Sequence, residues 1–236
     1  MSNNFTGVIL MKKFLSKALT AAVIFMMTTS VEAATIPLEK PNLNQTKMLS
    51  EVMNLRQSSR DYEPNKPLTA EQLSNILWAA NGLTSDKFSG RKGHVNPAAL
   101  GIYAIDVYAV TQDGIYLYKP ESHSLELVAS GDYRETTTLG QDFAKTAPLN
   151  LVYVEKITAW SKSPHKMTRD AQLNCANIAA GAMTQSVALM AISQDLGSCV
   201  RGSIDVKAFK AAAKLKSSQN ILIAQTVGDA YGIPKG

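Results

Sequence analysis

A chain of 236 residues, 45% hydrophobic and 18% charged, is long enough for one domain with a substantial core. Its formal net charge of +5 is mild, and no basic stripe interleaved with aromatics runs through it, which speaks against nucleic-acid binding. His94, His123 and His165 have no ligand spacing, and neither a Gly-x-Ser-x-Gly elbow nor a phosphate-cradling P-loop is present, so metal-site, hydrolase and nucleotidase readings find no support.

In chain order, Lys12 and Lys13 lead into an apolar run, Ala18–Met27, followed by Thr28-Thr29-Ser30-Val31-Glu32-Ala33. The run is shorter than the about 20 residues a bilayer span needs. Residues 1–33 therefore read as a cleaved secretory signal starting at Met11, and the periplasm is the expected destination. Residue 34 is Ala and not Cys, so no lipid or other stable membrane anchor is expected. The segment carries Lys12, Lys13 and Lys17 against Glu32, which leaves a net +3 on the mature chain.

Residues 34–45 read as an extended arm, and 46–236 as the domain. Thr46–Leu55 has helical spacing through Met48, Val52, Met53 and Leu55. Next comes Arg56-Gln57-Ser58-Ser59-Arg60, two guanidinium forks four residues apart with hydroxyls between them. Such a set suits phosphate oxygens, and it suits a wet surface equally well. Thr69 with Gln72 three residues on is a capping box for a helix to about Ala80 that buries Leu73, Ile76, Leu77 and Trp78. Gly82 is expected to end it in the left-handed conformation.

A polar loop over 85–93 precedes Pro97-Ala98-Ala99-Leu100. Ile105–Thr111 and Ile115–Tyr118 then read as a hairpin turned at Gln112-Asp113-Gly114, with another strand over Ser124–Ser130. A helix is expected over Tyr133–Phe143 and a central strand over Leu149–Val154. A long helix follows from Asp170 to about Leu196, with Ile178, Met183, Val187, Met190 and Ala191 facing inward. Gly197–Gly202 is read as its break, Val206–Leu215 as a surface helix and Gln219–Val227 as a last strand. Cys175 and Cys199 flank the long helix, roughly 30 Å apart along its axis, and are expected to be unpaired and buried. The class is α+β, a mostly antiparallel sheet flanked by helices. Tyr103 and Tyr108 could serve the core or face a substrate; Trp78 and Trp160 are expected to pack.

The series Arg56–Arg60, Leu77–Gly82, Pro97–Leu100 before Ile105–Tyr108, Asp113–Tyr118, Ala147–Val154, Val200-Arg201-Gly202 and Gln225–Gly228 resembles the flavin-dependent nitroreductase superfamily. Its order is most similar to the branch of azoline-oxidising, thiazole- and oxazole-forming dehydrogenases. The resemblance implies a homodimer with FMN in clefts at the dimer interface. It implies that Arg56 and Arg60 grip the FMN phosphate, with Gln57 and Ser58 nearby, and that Pro97, Ala98, Ala99 and Leu100 pack on the flavin from the partner. Gln141 would lie by the flavin or ribityl chain, and Lys235 would add a cation at the phosphate. Val200, Arg201 and Gly202 would offer a backbone N–H to flavin N5, with the Arg201 side chain facing either solvent or the active site.

No catalytic acid or base is then required, because the flavin carries the chemistry. The activity implied is ping-pong transfer of hydride from a reductant, NAD(P)H among the candidates, to a small acceptor such as a quinone or nitroaromatic. Two alternatives stand beside it: a non-catalytic flavin carrier, and an oxidase acting on peptide azolines.

Overall fold

The computed structural model describes residues 34–84 and 93–235; the signal segment over 1–33, and residues 85–92 of the expected polar loop, lie outside the described residues. The elements in chain order are β1 (Thr35–Pro37), α1 (Leu49–Leu55), α2 (Ala70–Asn81), β2 (Ile105–Val110), β3 (Gly114–Lys119), β4 (Ser124–Ser130), α3 (Phe143–Thr146), β5 (Leu149–Lys156), α4 (Arg169–Ser193), β6 (Gly197–Arg201), α5 (Val206–Ala212) and β7 (Gln219–Gly228). The strands form one seven-stranded sheet in the order β1-β4-β3-β2-β5-β7-β6, antiparallel throughout.

Helices cover both faces. Strand β5 is buried at seven of its eight positions because neither side meets water. Leu149, Leu151 and Tyr153 point to one face, where Ile76, Leu77 and Ala80 of α2 and Ala180, Met183, Val187 and Ala191 of α4 complete the core. Val152 and Val154 point to the other, against Phe209 of α5 and Ile204. Full burial of such side chains stabilises the fold by about 1.5–3 kcal/mol each. The 25-residue α4 has the length and apolarity of a membrane span, yet one side of it lines this core.

The capping box forms as expected. Thr69 Oγ1 accepts from the Gln72 amide at 3.1 Å, and the Gln72 side chain accepts from the Thr69 amide at 2.9 Å. The hairpin, the central strand and the last strand also stand where the alternation puts them.

Five expectations are corrected. First, α1 begins at Leu49 and not Thr46; Met48 supplies no side-chain cap, and Lys47 is drawn away to Asp195. Second, Gly82 is extended, at φ −67°, so its role is room: a Cβ there would lie 2.3 Å from Trp78 Cδ1. Third, the helix expected over Tyr133–Phe143 splits into a 3-10 turn at Arg134–Thr137 and the short α3, parted by Gly140 at φ +70°. Fourth, Gly197–Gly202 is not merely a break, because Gly197–Arg201 forms edge strand β6; a Cβ on Gly197 would stand 2.4 Å from that of Ala230. Fifth, Ile178 is 66% exposed on the outer side of α4. Both cysteines are free, as expected, with Cys199 buried and Cys175 only half-buried.

Candidate functional site

Three segments distant in sequence meet at the β6 edge of the sheet. The chain leaving α1 runs alongside β6: Ser58 and Ser198 form a parallel bridge, and the Ser59 amide donates to the Ser198 carbonyl at 2.9 Å. Beyond Arg60 the same chain pairs with the C-terminal tail through Tyr62 and Ala230, and the Tyr231 amide donates to the Asp61 carbonyl at 3.1 Å. On the other side the Leu139 amide donates to the Ser203 carbonyl and the Ser203 hydroxyl to the Leu139 carbonyl, which brings the Gln141 loop beside Gly202. Past Ser198 no described segment pairs with the outer side of β6. Backbone groups over Val200–Gly202 are therefore open to a ligand, as at any free strand edge.

The charges of this region sort into two kinds. Arg56 is half-buried and Arg60 exposed, and neither has a carboxylate partner among the described residues. Lys235 differs: its ammonium is held by the Asp229 carboxylate, which also binds Lys66, and donates to the Asp195 carbonyl at 2.6 Å. The tail cation is thus engaged within the fold, and free anion-binding capacity rests on the arginines. Gln57 and Ser58 are exposed, and Val200 is exposed within an otherwise buried strand.

The Arg201 side chain takes neither of the two courses left open by the sequence. Arg201 is 3% exposed. Its Nε donates to Thr226 Oγ1 at 2.8 Å, Nη1 to the Thr137 carbonyl at 2.9 Å and Nη2 to Asn150 Oδ1 at 2.9 Å. Burial pushes its pKa down to about 10. Burial likewise raises the Cys199 thiol, against the lowering effect of Arg60 and Arg201, and raises the Tyr62 phenol.

No hydrogen bond or ion pair among the described residues joins Pro97, Ala98, Ala99 and Leu100 to this convergence. Asn96 is tied by its side-chain amide to the Ala79 and Ala80 carbonyls at the end of α2, and Ser186 on α4 donates to its Oδ1. The loop projects Leu100, 55% exposed and left-handed at φ 56°, followed by Gly101 at φ 68°. A left-handed leucine stores strain, a feature that clusters at functional loops. Beside it His94 stacks on Tyr103 at 3.7 Å, with burial lowering the His94 pKa.

Among the described residues, two buried polar atoms lack a hydrogen-bond partner, Ser59 Oγ and Gln141 Oε1. Natural folds rarely leave such atoms orphaned. Both belong to segments bordering the open edge of β6, with the Ser59 side chain packed against Gly197. The donor set of two free guanidinium groups, exposed Ser58 and the strand edge fits FMN in that position. Sequence reasoning placed Ser59 inside the cluster without giving it a role. Thr137, Asn150 and Thr226 carry no local signal; only the fold gathers them around Arg201.

An antiparallel sheet clad on both faces, with this donor set at its open β6 edge, fits one class: FMN-dependent oxidoreductases of nitroreductase fold. The chain belongs to the nitroreductase family, whose model matches residues 54–229. It is 32% identical to a protein from Ralstonia eutropha JMP134 named as a nitroreductase, whose crystal structure superposes with a TM-score of 0.74 over 86% of this chain and 93% of that one. A Methanocaldococcus jannaschii protein also named as a nitroreductase is 29% identical over 198 residues, 80% of this chain and 95% of its own. A further structure, named as a nitroreductase from Desulfovibrio desulfuricans in complex with FMN, shares the fold at a TM-score of 0.55 and 16% identity, covering 81% of this chain and 91% of that one.

Proposed function

We propose that this FMN-dependent oxidoreductase is an exported homodimer that takes hydride from a reductant and delivers it to a small conjugated acceptor, a quinone or nitroaromatic. The observation that carries the reading is the convergence, at a β6 edge that no described segment pairs past Ser198, of two arginines without carboxylate partners among the described residues. FMN supplies the chemistry, hydride-level transfer between two substrates that use the cleft in turn. Arg56 and Arg60 bind the phosphate through charge-assisted hydrogen bonds. Ser58 and Gln57 orient its neighbourhood, and Gln141 faces the ribityl chain or ring. The edge of Val200–Gly202 would offer a backbone N–H to the ring nitrogen that receives hydride, and a fixed donor there polarises that atom for the transfer.

The homodimer is supported by where the flavin-packing loop lies. Pro97–Leu100 makes no hydrogen bond to the arginine cluster of its own chain among the described residues and projects an exposed Leu100, which suits closing the site of a partner. Met48, Leu49 and Met53 around α1 and Ile178 on α4 are apolar and exposed in the single chain, as an interface between copies requires. Export rests on the basic and apolar pattern of residues 11–33 and directs attention to donors other than cytoplasmic nicotinamides.

The test is direct. The mature chain, purified from the periplasm as a dimer, should take up FMN and show its absorbance; reductants and acceptors are then screened by bleaching and reoxidation. Arg56→Ala should weaken FMN binding roughly tenfold to a hundredfold, the loss expected for a charged hydrogen bond. A variant that stays fully yellow after dialysis would refute the phosphate assignment.

A further inference from the structure

The fold holds a buried cation with only neutral acceptors. Thr226 Oγ1, the Thr137 carbonyl and Asn150 Oδ1 each take one hydrogen bond from Arg201, and no carboxylate among the described residues lies within salt-bridge distance of it. The ionisable groups that act on it are Cys199 and Tyr62, and burial keeps both neutral. Taking that charge out of water is costly, and no opposite charge among the described residues repays it. The residue that carries this charge is also part of the open strand edge at the cleft, with its guanidinium on the protein side.

We propose that Arg201 is a positioning residue that sets the redox preference of the cleft: its guanidinium, fixed behind the Val200–Gly202 edge by neutral acceptors, favours the reduced, anionic form of the bound cofactor over the oxidised one. The inference rests on the FMN reading above. Two-electron reduction adds two electrons and one proton to the ring system and leaves one negative charge on it. A nearby cation in a low-dielectric setting acts on that charge and not on the neutral oxidised ring. Arg56 and Arg60, bound to a phosphate present in both redox states, cannot discriminate in this way.

The experiment measures the midpoint potential of FMN bound to the full mature chain, by dithionite titration against an indicator dye, together with the affinity for oxidised FMN. Arg201→Met should bind reduced FMN at least tenfold more weakly relative to oxidised FMN, a shift of about 30 mV to more negative potential for a two-electron couple. Arg201→Gln keeps hydrogen-bonding capacity at the site, so it provides the same measurement if the Met variant does not fold, and should shift the same way. Arg201→Lys should stay within threefold of the wild type. A folded neutral variant whose ratio is unchanged would overturn the inference. Equal weakening of both redox forms would do the same, since it would mark Arg201 as a phosphate or purely structural group. A wild-type chain that takes up no FMN would sink the cofactor reading itself before any variant is compared.

Discussion

Arg134 and Arg201 are both buried, 4% and 3% exposed, yet they are built differently. Arg134 is met by a carboxylate: Nε and Nη2 donate to the two oxygens of Asp132 at 2.9 and 2.6 Å. The Thr146 and Ala147 carbonyls and Asn65 Oδ1 take its remaining donors. That corner is closed in charge and in hydrogen bonds, and it ties the loop after Tyr62 to α3 and the turn before it. Each nitrogen of Arg201 has a hydrogen-bond partner, and its charge is unanswered. The contrast separates a cation that serves the fold from one whose field is left over for something outside it.

The comparison breaks most visibly at the closed corner. Replacing Arg134 with Met leaves the Thr146 and Ala147 carbonyls and Asn65 Oδ1 without their donors, while Asp132 turns to water, and should destabilise the protein by about 3 kcal/mol. A melting temperature about 6–12 °C lower, with FMN affinity intact, is the expected result of a thermal scan and a flavin titration. At the open corner Arg201→Met removes a desolvated charge along with its hydrogen bonds. The two effects oppose each other, and denaturant titration should find a loss below about 1 kcal/mol. If the two variants lose equal stability, the distinction between the corners is wrong.

A third polar corner gives the smallest effect. His123 Nε2 bonds the Glu39 carbonyl at 2.9 Å and Ser74 Oγ at 2.8 Å, and its Nδ1 bonds Tyr118 Oη at 2.8 Å, which fastens the N-terminal arm to α2 and β3. Partial burial lowers its pKa in the folded state, so the unfolded chain binds the proton more tightly. Its neutral form is the stable one above the ordinary histidine pKa. Stability should fall as the pH drops from 7 to 5, and His123→Gln should flatten part of that slope in melting curves. His94, also lowered by burial, accounts for a share of what remains.

The features legible in the sequence are those whose causes lie within a few residues. The Thr69 capping box, the Gln112-Asp113-Gly114 turn and the unbroken apolar run of β5 each carry their own signal, and each forms where it was expected. The Arg56 and Arg60 pair is a local pattern too, visible before any fold is known. What the structure alone decided depends on partners far along the chain. Strand β6 carries a weak signal because Ser198 and Arg201 interrupt its apolar residues, and its burial comes from Ser59, Ala230 and β7. Lys235 is claimed by Asp229 and the Asp195 carbonyl, which no tail motif could show. The state of Arg201 follows from Thr137, Asn150 and Thr226, gathered from 25 to 64 positions away. A side chain's type and spacing are written locally, but whether its charge is answered depends on what the tertiary packing sets around it.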